Sequence, residues 1–221
     1  MVWDRLRSWF DWVAGPPPFP QDTAGLREAA TPAEAARVFR HLSSMGGIAF
    51  RYTPDGCHAR AHLMCRELFD MGFVPQKAWA LEDDKMLKVK LGKSKVRWCF
   101  HVAPALTVQM PDGRREEMVF DPSLFDGPVT LARWGDVMHA KPGQLQITPC
   151  GKPPKGYWGD YTVEDRTKRG TDAEAKALML SYLDLQKPKK SWKVFHSEFQ
   201  SLLGQGGGKA GQRRDRRHMG A

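Results

Sequence analysis

The 221-residue sequence predicts an α+β fold, an antiparallel sheet packed on helices. Two observations set the elements: helical spacing between start and stop signals in 31–46, 57–72 and 171–186, and strand-type alternation in 74–81, 85–91 and 98–121. A third sets the pairing, because Pro111-Asp112-Gly113 folds the longest strand segment back as a hairpin with Gly113 at the position that needs positive φ. Together these give an antiparallel sheet of about four strands against helices. At 25.0 kDa and 41% hydrophobic residues the chain suits one ordinary domain with appendages, and a mean hydropathy of −0.52 leaves much of it solvated. A net charge of +9 admits an acidic partner, protein or nucleic acid, although part of that charge sits in the tail.

Residues 1–13 carry Trp3, Leu6, Trp9, Phe10 and Val13 among Asp4, Arg5, Arg7 and Asp11, an amphipathic helix pattern. It lacks the unbroken apolar run and small-residue cleavage site of a signal peptide. Its apolar face suits docking on its own domain, on a partner or on a membrane surface. The Pro-rich stretch 15–20 separates it as a stiff linker, so the domain is expected over 21–203, with 1–20 and a basic Gly- and Arg-rich tail, 204–221, outside it. No stretch is long and apolar enough to span a bilayer. Thr31-Pro32-Ala33-Glu34 opens a helix with an N-cap, Pro at the first position and a carboxylate three residues on, and Val38, Phe39 and Leu42 form its apolar face. In 85–91 Lys alternates with apolar residues, a strand whose Lys face is read as solvent-facing or edge-protecting. Thr130 caps a short helix, 141–170 reads as a long loop, 171–186 is a helix burying Ala175, Leu178, Met179 and Tyr182, and a last short helix starts at Ser191.

Chemistry enters at Asp55-Gly56-Cys57-His58-Ala59-Arg60-Ala61-His62. Asp and Gly break the chain, and the run after them, with Ala61, Met64, Leu68 and Met71 at helical spacing and Gly72 as a stop, reads as a helix of about four turns. Cys57 falls in its first turn, where unpaired N–H groups and the helix dipole favour thiolate. The competing reading is a buried structural cysteine. The hairpin decides between them. Placing Met110 opposite Arg114 puts Ala103 opposite Asp121 and His101 opposite Ser123, so His101 and Asp121 share one face a diagonal step apart. Cys57, His101 and Asp121 are then a nucleophile, a base and its orienter.

His58 and His62 compete for the base role and are set aside. Adjacent helical side chains diverge by about 100°, so His58 shares a proton poorly with Cys57, and His62 is read as a packed or hydrogen-bonded structural residue. Cys57, His58, His62 and Cys65 also suggest a metal, but no second cluster completes a site, so neither metal nor cofactor is expected. Gly56 is read as letting a substrate carbonyl approach the nucleophile turn, and the Cys57 N–H as an oxyanion donor whose second partner is not assigned. The four cysteines form no tight framework, and nothing demands an oxidising compartment.

The blocks Asp55-Gly56-Cys57 with Ala59-Arg60-Ala61-His62, His101-Val102-Ala103, and Asp121-Pro122-Ser123-Leu124-Phe125 with Gly127-Pro128-Val129 resemble bacterial protein glutaminase over residues 51–137. The resemblance implies a papain- and transglutaminase-like fold with the nucleophile at the start of the central helix. It also implies a Cys57-His101-Asp121 triad and deamidation of glutamine side chains in proteins or peptides. Transglutaminase and cysteine protease activity share that triad, and a non-catalytic interaction module is the alternative of another class. The implied partner is a glutamine-containing protein or peptide, with a docking or neutralising protein if the chain is a delivered effector or toxin; nucleic acid is the less expected partner. The missing signal peptide leaves the bacterial cytoplasm or a leaderless export route.

Overall fold

The structure is a computed structural model, described here for residues 23–83, 85–91, 94–152, 154–155 and 172–186. All of these lie in the first of two compact units, Met1–Gln186. The second unit, Lys187–Ala221, lies outside the described residues, as do the expected N-terminal helix with its linker, the helix from Ser191 and the basic tail.

The elements are β1 (Ala29–Ala30), α1 (Pro32–Ser43), α2 (Cys57–Asp70), β2 (Gln76–Leu81), β3 (Leu87–Leu91), β4 (Ser94–Trp98), β5 (Phe100–Gln109), β6 (Arg115–Val119), β7 (Val129–Thr130), α3 (Leu131–Asp136), β8 (Leu145–Pro149) and α4 (Asp172–Leu185). The main sheet runs β7-β6-β5-β2-β8 and is antiparallel throughout; β1 joins it by a short parallel pairing to β5 at Thr107 and Val108. The α+β expectation therefore holds. β5 is its centre: buried from His101 to Val108, it pairs with β2 along its first half and with β6 along its second.

One face of β5, with Leu106 and Val108, meets the apolar stripes of α1 (Ala35, Val38, Phe39, Leu42) and α2 (Leu63, Met64, Leu68). The other, with Ala103 and Ala105, is covered by Leu87, Val89 and Trp98 of the β3–β4 hairpin and by Trp134 of α3. Helix α1 begins as its sequence requires, with Thr31 and Glu34 forming a reciprocal capping box and Pro32 in the first turn.

The β5–β6 register is the one expected, with Ala105 opposite Val119 and Gln109 opposite Arg115, around a turn where Gly113 has φ +85°. Pro104 sits inside β5 and accepts a bond from Phe120 N but has no N–H to return. The ladder loses a bond there, β6 stops at Val119, and the chain is released to turn at Asp121.

Three expectations are corrected. The hairpin β3–β4 is a sheet of its own and not part of one four-stranded sheet. The segment 98–110 is not one strand: it breaks at Cys99, because β4 pairs with β3 whereas β5 pairs with β2. The segment read as a loop from 141 contains β8, which adds to β2 from Gln76 to Ala80 and buries Trp79 Nε1 against Thr148 Oγ1 at 2.9 Å. Edge-strand pairing is supplied by the partner strand, and a five-residue strand after Pro142-Gly143 carries too little periodicity of its own to show it.

Candidate active site

Helix α2 starts at Cys57, directly after Gly56 in the left-handed region (φ +83°), and no side chain caps it. By contrast with the boxed start of α1, no side chain among the described residues caps the first-turn N–H groups of α2, and the Asp55 carboxylate accepts instead from Gly56 N at 2.6 Å. The turn is held by a side chain of α2 itself and by one from α4. The buried Arg60 guanidinium donates to the carbonyls of Tyr52 (2.9 Å) and Asp55 (3.0 Å), and Tyr182 Oη of α4 donates to Asp55 Oδ2 at 2.7 Å.

Gly56 has a different reason from the one expected. A Cβ there lies 2.8 Å from Met179 Cε and 2.8 Å from Tyr182 Cε2, so the missing side chain admits α4 and not a substrate carbonyl. Gly56→Ala is expected to destabilise the fold by about 2 kcal/mol or more, combining the left-handed penalty with displacement of α4. A thermal melt checks this; an unchanged midpoint would mean that α4 yields freely.

His101, at the start of β5, and Asp121, just past β6, meet as the register requires: Nε2 and Oδ2 are 2.8 Å apart, and both residues are buried. Asp121 is held by three further donors. Ser123 N and Oγ donate to Oδ1 (3.1 and 2.5 Å), and Trp134 Nε1 donates to Oδ2 at 3.0 Å. An ionised carboxylate accepts all four, and this fixes the His101 proton on Nε2 in the neutral imidazole. Nδ1 is left buried with no partner at hydrogen-bond distance, and Cys57 is the neighbouring thiol that acts on the ring. The Cys57–His101 contact is an approach and not a completed bond, which is common for catalytic pairs before substrate binds. The imidazole is also clamped between two indoles, Trp98 at 4.4 Å and Trp134 at 5.5 Å between centroids, both stacked.

The electrostatics follow from these contacts. Burial pushes the Cys57 thiol up, but the approach of the His101 and His58 rings and the charges of His101 and Arg60 bring it from 9.0 down to about 6. Burial pushes His101 down, but the charge and hydrogen bond of Asp121, reinforced by Cys57, raise it from 6.5 to about 9. Burial opposes ionisation of Asp121, which His101, Ser123 and Trp134 nonetheless hold at about 2. Between these limits the favoured state is thiolate beside imidazolium beside carboxylate, with each charge compensated by its neighbour. The sign is definite: the thiolate is lost as pH falls through about 6, and the imidazolium as pH rises through about 9. Alkylation of Cys57 by iodoacetamide is expected to titrate well below the free-thiol value of about 8.5, ahead of Cys65, Cys99 and Cys150. A profile indistinguishable from that of a free thiol would remove the ion pair.

The remaining sequence candidates separate from this cluster. His62 is fully buried and bonded through Nε2 to Asp172 of α4, a structural tie that also takes in Arg66. His58 adjoins the thiol as an electrostatic neighbour. All four cysteines are free, and among the described residues no three His, Cys, Asp or Glu are grouped to hold a metal. A cavity of about 520 Å³ between α2 and α4 is lined by Arg66, Glu67 and Asp172, and not by Cys57. Sequence reading missed Ser123, Trp98 and Trp134 as partners of the pair. The one available signal was Ser123, two residues after a candidate carboxylate, a spacing that favours a side chain bonding forward to the backbone.

Residues 35–138, which contain Cys57, His101 and Asp121, match the family model Gln_deamidase_2, described as Glutaminase. No curated protein matches the chain in sequence. Among solved structures, the A47Q2 mutant of pro-protein-glutaminase is 28% identical with a TM-score of 0.53, over 59% of this chain and 52% of that one. Pro-protein-glutaminase is 26% identical with a TM-score of 0.50, over 63% and 53%. The protein-glutaminase of Chryseobacterium proteolyticum shares the fold with a TM-score of 0.59 at 24% identity, over 73% and 93%. The match thus spans about half the length of the two pro-protein-glutaminase chains. The resemblance to protein glutaminases is borne out, at low sequence identity.

Proposed function

We propose that this chain, similar over residues 35–138 to the glutaminase family, is a cysteine amidohydrolase that deamidates glutamine side chains in proteins or peptides. The fold is then papain- and transglutaminase-like, with Cys57 as the nucleophile at the start of its central helix. The observation that carries the reading is the buried Cys57-His101-Asp121 arrangement inside that matched region, with its charges compensated in series. The Cys57 thiolate attacks the carboxamide carbon, forming a C–S bond and an oxyanion beside the uncapped start of α2. His101 gives its Nδ1 proton to the amide nitrogen, the C–N bond breaks, and ammonia leaves a thioester. The same Nδ1 then takes a proton from water, whose oxygen attacks the thioester. The C–S bond breaks to regenerate thiolate, and the side chain is now glutamate.

Transglutaminase and protease chemistry start from the same residues, and the similarity to protein-glutaminases supports the hydrolytic deamidase over both. The test is ammonia release from a glutamine-containing protein together with the Gln-to-Glu mass change, with free glutamine and an asparagine peptide as controls. Ammonia with a new isopeptide cross-link, or backbone cleavage without ammonia, would overturn the reading.

A further inference from the structure

We propose that the outer face of the β3–β4 hairpin is a docking surface for an acidic segment of the protein substrate; this rests on the function proposed above. In the hairpin register Lys88 stands opposite Arg97 and Lys90 opposite Lys95, and all four side chains are exposed on one face. Leu87, Val89 and Trp98 alternate with them and face the core. None of the four cations enters an ion pair among the described residues.

Like charges directly opposite each other on neighbouring strands oppose pairing, so the arrangement does nothing for the hairpin's own stability. It does create a concentrated positive field on a small surface. Its place gives that field a use, because Trp98, the last residue of β4, stacks on His101. A segment lying on the outer face is therefore anchored to the element whose inner side covers His101, with Trp98 between them. One feature favours carboxylates over nucleic acid: no aromatic side chain shares the exposed positions to stack a base, so the face offers charge and nothing that reads a nucleotide.

The experiment uses the full chain carrying Cys57→Ala for binding and the native chain for turnover. The probe is a labelled peptide with one glutamine, a linker of about eight residues, roughly 25 Å when extended, and a run of glutamates; its control carries serines in their place. The expected result is binding of the acidic peptide that weakens with salt, and a loss of about tenfold in the variant Lys88→Gln/Lys90→Gln/Lys95→Gln/Arg97→Gln. In turnover that variant loses the preference for the acidic peptide while kcat/KM on the serine peptide stays within about twofold of the native value. Unchanged melting confirms the fold, and the pair Lys90→Gln/Lys95→Gln at the far end of the hairpin serves if the fourfold variant does not fold. Equal binding of both peptides, or an unaffected variant, overturns the docking surface. Tighter, variant-sensitive binding of a duplex oligonucleotide overturns it in favour of nucleic acid. Absence of ammonia from every glutamine peptide, with acidic binding and its loss intact, overturns the proposed chemistry and leaves the docking surface standing.

Discussion

Cys57→Ala is expected to abolish ammonia release while leaving a folded chain. In the proposed scheme the thiol is the atom that forms the bond to the carboxamide, and the other cysteines are placed differently: Cys65 points its Sγ at the Gln76 carbonyl, Cys99 is exposed and Cys150 is half-buried. The structural cost is small. Alanine is the best helix former at the head of α2, and the missing sulfur leaves a gap of one atom among Ala61, Trp79 and Val102, costing about 1 kcal/mol. Cys65→Ala is the matched control, also buried and on the same helix, and it should keep its turnover. Equal loss in both variants would point to a damaged core, and ammonia released at the native rate by Cys57→Ala would remove the nucleophile from the scheme.

The second large effect concerns Asp121→Asn. Asp121 accepts on both oxygens, from Ser123 on one and from His101 and Trp134 on the other. An amide has one accepting end, so either orientation sets its NH₂ against at least one of these donors. With the oxygen kept on Ser123, the NH₂ faces His101, and the imidazole is driven to carry its proton on Nδ1. That tautomer cannot take the thiol proton, and a drop of about 10⁴ in kcat is the scale for this fault in a related triad. One unsatisfied buried donor costs about 1–3 kcal/mol, so a lower melting midpoint with a folded chain is expected. The readout specific to the mechanism is the Cys57 alkylation profile, which should move up from about 6 as the imidazolium is lost. Near-native ammonia release would show that another group orients His101.

Much of the candidate site was legible because it depends on local rules. The break at Asp55-Gly56 and the apolar spacing after it placed Cys57 at a helix start. Pro111-Asp112-Gly113 set the hairpin register, and alternation then brought His101 to Asp121 without reference to any other element. The capping box of α1 was equally local.

What the tertiary structure decided lay where two segments compete or meet. Within one continuous strand Trp98 and His101, three residues apart, point to opposite faces. The break at Cys99, imposed because β4 and β5 pair with different strands, turns the two rings face to face. Trp134 reaches Asp121 from a helix that packs on β6 and β7, and Gly56 is glycine because α4, from the far end of the described chain, fills the space of its side chain. By itself, then, the sequence determined the helix start, the hairpin and the pairing of His101 with Asp121, since a few neighbouring backbone torsions and a two-residue period suffice for each. The clamp around the imidazole, the buttress behind the cysteine and the division into two sheets belong to the tertiary structure, because each is a contact between segments whose own periodicities carry no record of the other.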